Sequence, residues 1–201
     1  LRRVVRRRLE VSPPGQRCDM CTASVPEQHR HLLDTQRDEL LCACRACALL
    51  FERDHAGNGH YRLVPEHRRR LPLPDTELGS VGVPVGLAFF VTGPDGKAVA
   101  HYPSPAGATR WEVTDETWQR IVELWPPVRD MTPQVEALLV NTSRGARDSW
   151  IVPIDDCYRL VALVRTHWQG LSGGSTVWPA VSGFFARLGG TRDSPLAATR
   201  A

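Results

Sequence analysis

The chain has 201 residues, 42% hydrophobic and 23% charged, with a formal net charge of +3. Such a length can bury a sizeable core as one large domain, or as a medium domain with a small satellite, and the composition excludes disordered and collagen-like classes. The longest apolar run, Val83 to Val91, contains Pro84 and Gly86 and falls well short of the ~20 residues of a membrane helix, so no membrane insertion is expected.

Residues 1–16 read as a basic tail. LRRVVRRRLE is followed by VSPPGQRC, so it lacks the apolar middle of a secretory signal. With no export signal, free cysteines and a reducing cytoplasm are the expected setting. The chain begins at Leu1, which leaves room for an upstream segment. Charge is uneven: residues 1–70 hold 14 Arg against 9 acids, and residues 71–201 hold 11 Arg and Lys against 13 acids. A basic module beside an acidic body would suit nucleic acid. Lys97 is the only lysine, however, and a whole-chain excess of Arg over Lys is a compositional habit rather than a phosphate-binding design. A nucleic-acid-binding zinc finger is therefore the minor alternative.

Residues 17–55 read as a metal-binding finger. Five of the six cysteines fall within thirty residues, as Cys18-x2-Cys21 and Cys42-x-Cys44-x2-Cys47. Two CxxC pairs brought together by a short insert are how a small fold builds a tetrahedral thiolate site. HRHLLD and ELLCAC read as two strands around the polar reversal TQRDE. RACALLFERD reads as a helix, with Ala46, Leu49, Leu50 and Arg53 at helical spacing and the second CxxC in its first turn. This order resembles a treble clef, in which a helix start stabilises thiolates.

The first choice of ligands is Cys18, Cys21, Cys44 and Cys47. Cys42 lies two residues before Cys44, so on a strand it shares that face and could replace it or lie under the site as a buried thiol. His29 and His31 also share a face and could supply nitrogen ligands; five Cys and two His would even allow a two-metal cluster. The plain alternative for the two histidines is one packed and one exposed. Zinc is the expected ion, because closed all-thiolate sites of this spacing are usually structural. A rubredoxin-like iron or an iron–sulfur cluster uses the same thiolates. Rubredoxin-like knuckles favour glycine after the pair, whereas Thr22 and Ala48 stand there. QHRHLLD followed by LLCACRAC is similar to the His-Asn-His endonucleases, but Ala48, Leu49 and Leu50 follow the second pair where those enzymes carry a further His or Asn.

HAGNGH reads as a turn, and 56–80, rich in Arg and Pro, as a linker. Residues 81–190 read as an α+β domain. VGVPVGLAFFV and GKAVAHY are strands joined by a Pro-Asp-Gly turn, and YPSPAGATRWEV is a rigid loop entering a further strand. Thr114 caps a helix bearing Trp118, Ile121, Val122 and Trp125; VEALLV and SWIVPI pair as strands. Asp155 or Asp156 caps a helix bearing Cys157, Leu160, Val161, Val164 and Trp168, and a last helix carries Val177, Val181, Phe184, Phe185 and Leu188. Residues 191–201 are a tail. GLSGGSTVW could cradle an anion, but capping by Ser172, Ser175 or Thr176 explains it better, and no nucleophile–base pair, open metal site or phosphate loop stands out, so no hydrolytic or transfer activity is expected.

CDMC, HRHLLD, LLCACRACALLF, PVGLAFF, YPSPAGAT, VEALLV, VPIDDCYRLV and the HWQG…FF end together resemble an uncharacterised bacterial family whose genes often lie beside those of NiFe hydrogenases. The resemblance covers most of residues 17–190. It implies a non-enzymatic accessory or adaptor role in hydrogenase expression, maturation or assembly, with a hydrogenase subunit or assembly factor as partner; an electron-transfer protein is the alternative. It supplies no catalytic residues.

Overall fold

A computed structural model describes residues 15–52, 59–72, 86–170 and 173–190. It is an α+β protein whose chain divides into two compact units, one up to Leu63 and one from Val64 onward. The basic tail up to Pro14, most of the HAGNGH turn, the Pro74 region, the start of VGVPVG, Ser172 and the end from residue 191 lie outside the described residues.

The first unit is a three-stranded antiparallel sheet. β1 (Arg30–Asp34) lies between β2 (Glu39–Ala43) and β3 (Tyr61–Leu63), and the short helix α1 (Arg45–Leu50) follows β2 directly. Thr35 to Asp38 reverse the chain between β1 and β2. Asp34 Oδ1 accepts the backbone N–H groups of Gln36 and Arg37 at 3.0 and 3.1 Å, and Asp38 takes a left-handed φ of 55° to close the turn. The apolar centre is small: Leu32, Ala43 and Ala48 are buried, flanked by Leu41, Phe51 and Leu63. The helix face differs from the one expected. Ala48 points inward, whereas Ala46 is exposed and Leu49 and Leu50 are 54% and 67% exposed. The reason is length: α1 has six residues and its orientation is set by Cys44 and Cys47 at its start, not by an apolar stripe.

The second unit is built on a six-stranded antiparallel sheet. In spatial order its strands are β4 (Arg69–Arg70), β9 (Asp148–Pro153), β8 (Glu136–Asn141), β5 (Leu87–Thr92), β6 (Ala98–Ser104) and β7 (Gly107–Glu112). The Pro-Asp-Gly turn joins β5 to β6 as expected, with Gly93 N–H donating to the Lys97 carbonyl at 2.8 Å and Gly96 at φ 78°. YPSPAGAT departs from its expected form. It is the tip of a second hairpin, with Pro103 paired to Ala108 and Ser104 to Gly107, so the proline sits within a strand beside the turn.

Strand alternation sorts the core into two faces. Ala88, Phe90, Leu138, Val140 and Ile151 face one way, against Ile121, Val122 and Trp125 from α2 (Asp115–Leu124) and its C-cap. Phe89, Leu139, Trp150 and Val152 face the other way, toward α3 (Ile154–His167) and α4 (Val177–Gly190). All five apolar positions expected on the last helix, Val177, Val181, Phe184, Phe185 and Leu188, are buried. Thr114 caps α2 through its hydroxyl, which accepts from Thr117 N–H at 3.3 Å.

Two expectations are corrected here. Neither Asp155 nor Asp156 caps α3; Pro153 occupies the N-cap with no side-chain bond, and both acids lie in the first turn. Asp156 is instead buried and held by Arg68, whose Nε and Nη2 reach its two carboxylate oxygens at 2.5 and 3.0 Å. The described part of 56–80, expected as a linker, contributes β3 to the first unit and β4 to the second. Trp125 Nε1 donates to the Pro72 carbonyl at 2.7 Å, and Leu71 exchanges bonds with Ser149. Short polar segments of this kind are fixed by partners far away in sequence, so local composition reads them as loop.

Candidate metal centre

The first CxxC is a tight knuckle. Cys18 N–H donates to the Ala23 carbonyl and Thr22 N–H to the Cys18 carbonyl, each at 2.8 Å, and Arg17 pairs with Ser24 across the turn. Thr22 closes it at φ 62°, the left-handed region that β-branched residues avoid. Threonine thus takes the conformation for which a glycine is usual, so the missing glycine does not prevent the knuckle from forming.

The second CxxC is built by a strand running into a helix. Cys44 is the N-cap of α1, with extended φ and ψ of −70° and 162°, and its Sγ accepts the Cys47 N–H at 3.4 Å. Asp19 joins the two halves: its N–H donates to the Cys42 carbonyl at 2.9 Å and its Oδ2 accepts the Cys42 N–H at 2.6 Å. A residue inside the first pair therefore registers the strand that delivers the second.

The result brings together the four residues of the first-choice set. The sulfur atoms of Cys18, Cys21, Cys44 and Cys47 all lie within 4.8 Å of one another, with Cys21 and Cys44 at 3.7 Å. A tetrahedron of sulfurs around an ion at ~2.3 Å has an edge of about 3.8 Å. The spacing fits such an ion, and the cluster could hold one. Cys18 is buried and Cys21 exposed, so the group sits at the surface with one edge open to solvent.

Charge supports the same fit. Burial opposes ionisation of Cys18, yet backbone N–H groups of Cys44, Cys21 and Met20 bring its thiol down to about 6. Hydrogen bonding to Cys21, then burial and the remaining thiols, push Cys47 up to about 12. One sulfur is ready to ionise, while Cys21 and Cys47 are held above the ordinary thiol value. A cation among the four favours the thiolate form of each.

Cys42 and the two histidines go elsewhere. His29, His31 and Cys42 form a second group whose ligand atoms lie within 4.8 Å of one another, separate from the four cysteines. The alternative in which Cys42 replaces Cys44 is not what the geometry offers, and both histidines are half-buried rather than one packed and one exposed. The signal that separates the groups was in the hairpin: a four-residue reversal from Asp34 to Glu39 sets His31 opposite Cys42. Burial, with the negative charges of Asp19 and Cys18, raises the Cys42 thiol.

Other residues weighed from sequence stay outside both groups. Cys157 is buried on α3, where burial and then Asp156 and Asp155 push its thiol well up. His101 is buried and stacked on Phe89 with ring centroids 4.7 Å apart, and His167 Nδ1 lies 3.0 Å from the Leu163 carbonyl. Sequence reading missed the bidentate grip of Arg68 on Asp156, since 88 residues separate them.

Among the described residues, no helix is long and apolar enough to cross a membrane. No curated protein matches the chain, and no solved structure does. Residues 17–192 match the "Family of unknown function (DUF5947)", from just before the first cysteine to just beyond α4. With most of its length matched, finger and body together, the chain belongs to that family.

Proposed function

We propose that this chain is a non-enzymatic, metal-binding accessory protein, in which a zinc ion on Cys18, Cys21, Cys44 and Cys47 builds a finger that presents a surface to a protein partner. The observation that carries the reading is the four-sulfur group itself. Four protein donors fill all four positions of a tetrahedral zinc ion, leaving none for a substrate, which is the hallmark of a structural rather than a catalytic site. Apolar side chains displayed beside it support a docking role: Met20 within the first pair and Leu49 and Leu50 just after the second are 38%, 54% and 67% exposed. The resemblance to hydrogenase-linked sequences supplies the kind of partner, a NiFe-hydrogenase subunit or assembly factor, and a reducing cytoplasm suits the free thiols.

Affinity purification of the tagged full chain from a host expressing the hydrogenase genes should recover such a component, and deletion of the gene should lower hydrogenase activity. Intact activity in the deletion strain, with no hydrogenase component recovered, would reject the accessory role. The second reading, electron transfer through iron on the same thiolates, is favoured by exposure of Cys21, which would bring a redox centre to the surface. Metal analysis and a visible spectrum of anaerobically purified protein separate the two: colourless protein with one zinc at the four cysteines supports the first, and coloured protein with iron the second.

A further inference from the structure

We propose that His29, His31 and Cys42 bind a second metal ion, a zinc-class divalent cation held by two imidazole nitrogens and one thiolate beside the four-cysteine site. Nothing in the reading of the four-cysteine site requires this second ion.

The backbone supplies the first argument. His31 and Cys42 are direct partners across the β1–β2 ladder, and directly opposed side chains on one face stand about 5 Å apart at Cβ. His29 precedes His31 by two residues, which returns its side chain to the same face. Their neighbours Leu32 and Leu41 turn to the opposite face and form the apolar centre of the finger. The alternation thus gathers the three metal-binding side chains on one side of the hairpin, next to Leu33 and Leu40, and puts Leu32 and Leu41 on the other.

Orientation supplies the second. His29 Nδ1 lies 2.8 Å from the Pro26 carbonyl, which can only accept, so Nδ1 carries the proton and Nε2 keeps its lone pair. That Nε2 is buried and meets no hydrogen-bond partner, a state folded proteins rarely leave uncompensated. A backbone carbonyl fixing one nitrogen while the other faces the ion is how metal-bound histidines are commonly held. The His29 and His31 rings lie 4.7 Å apart, and all three ligand atoms fall within 4.8 Å of one another. The Asp19 bonds to the Cys42 N–H and carbonyl keep the thiol in place.

Chemistry supplies the third. Imidazole and thiolate are the donors that zinc prefers, and hard oxygen-seeking cations are poorly served by them. Three protein donors leave the fourth position of a tetrahedral ion to water or to an incoming ligand. In this the second site differs from the four-cysteine one.

The test is metal stoichiometry on the purified full chain loaded with zinc, then with cobalt as a visible probe. Wild type should carry two ions. His31→Ala and Cys42→Ser should each carry one, held by the four cysteines. The cobalt spectrum lost in Cys42→Ser should show sulfur charge transfer from one thiolate, roughly a quarter of that from the four-cysteine site. His29→Gln, which keeps the shape of the side chain, provides a milder variant should His31→Ala disturb the hairpin; it too should lose one ion. Wild type with a single ion, or two ions retained in all of His29→Gln, His31→Ala and Cys42→Ser, would overturn the proposal.

Discussion

The two units of this chain solve the folding problem in different ways. Among the described residues, the core on one face of the second unit alone gathers twelve buried side chains, with Phe90, Ile121, Trp125 and Leu138 among them, while the finger gathers Leu32, Ala43 and Ala48 at its centre and buries Val25 and Leu33 outside that cluster. Apolar burial contributes ~25 cal/mol per Å², so the second unit can offset its chain entropy with packing alone. A centre of one leucine and two alanines cannot. In the finger, the contacts that fix the chain instead run between the two CxxC turns, with Asp19 clamped onto Cys42 and four sulfurs converging. An ion held by those sulfurs would cross-link a segment too small to have a large core.

The comparison can be broken at either end. The largest effect is expected at the sulfurs. Cys21→Ser or Cys47→Ser should release the ion and with it most of the finger's folding free energy, which for small zinc modules runs to roughly 10 kcal/mol or more. Limited proteolysis should then cut between residues 17 and 53 while 86–190 stays resistant. Unchanged metal content in both variants would remove these cysteines from the ligand set.

In the second unit the sensitive points are packing and one buried ion pair. Phe184 is 7% exposed on α4, and truncation to alanine should cost about 3–5 kcal/mol, lowering the melting temperature by roughly 10 °C. Metal stoichiometry should not change. Arg68→Ala should cost about 3 kcal/mol, because among the described residues it leaves the Asp156 carboxylate buried with the exposed Arg159 as its remaining counter-charge, at 3.1 Å. Denaturant unfolding checks both; a neutral Arg68→Ala would show that water takes over the pairing.

The smallest effect sharpens the comparison rather than breaking it. Thr22→Gly removes a β-branched residue from a left-handed conformation, and should strengthen metal retention in a chelator competition by a factor corresponding to about 1 kcal/mol. Weaker retention would mean that the threonine side chain makes a contribution larger than its strain.

Much of this was legible because it depends on local periodicity. The paired CxxC spacing announced the four-sulfur group, and the apolar stripes of α2, α3 and α4 announced most of the residues that are buried, Trp118 and Trp168 being only half-buried. What escaped depends on distance or on brevity. Tyr61–Leu63 and Arg69–Arg70 are two or three residues long, and their pairing partners lie well away in sequence, so a window around Pro72 reads as linker. Asp156 reads as a cap because nothing near it in sequence points to Arg68. Leu49 and Leu50 fit a helical stripe, but α1 is too short for its stripe to outweigh the constraint of the two cysteines that begin it.

The central claim is that one unit folds through metal and the other through its core. Amide hydrogen exchange of the full chain, followed by mass spectrometry before and after complete metal removal, tests it most directly. Protection in β1 and β2 should collapse on metal removal and return on adding zinc, while β5, β8 and β9 keep theirs throughout. Retained protection in β1 and β2 without metal, or its loss in β5, β8 and β9, would contradict the account.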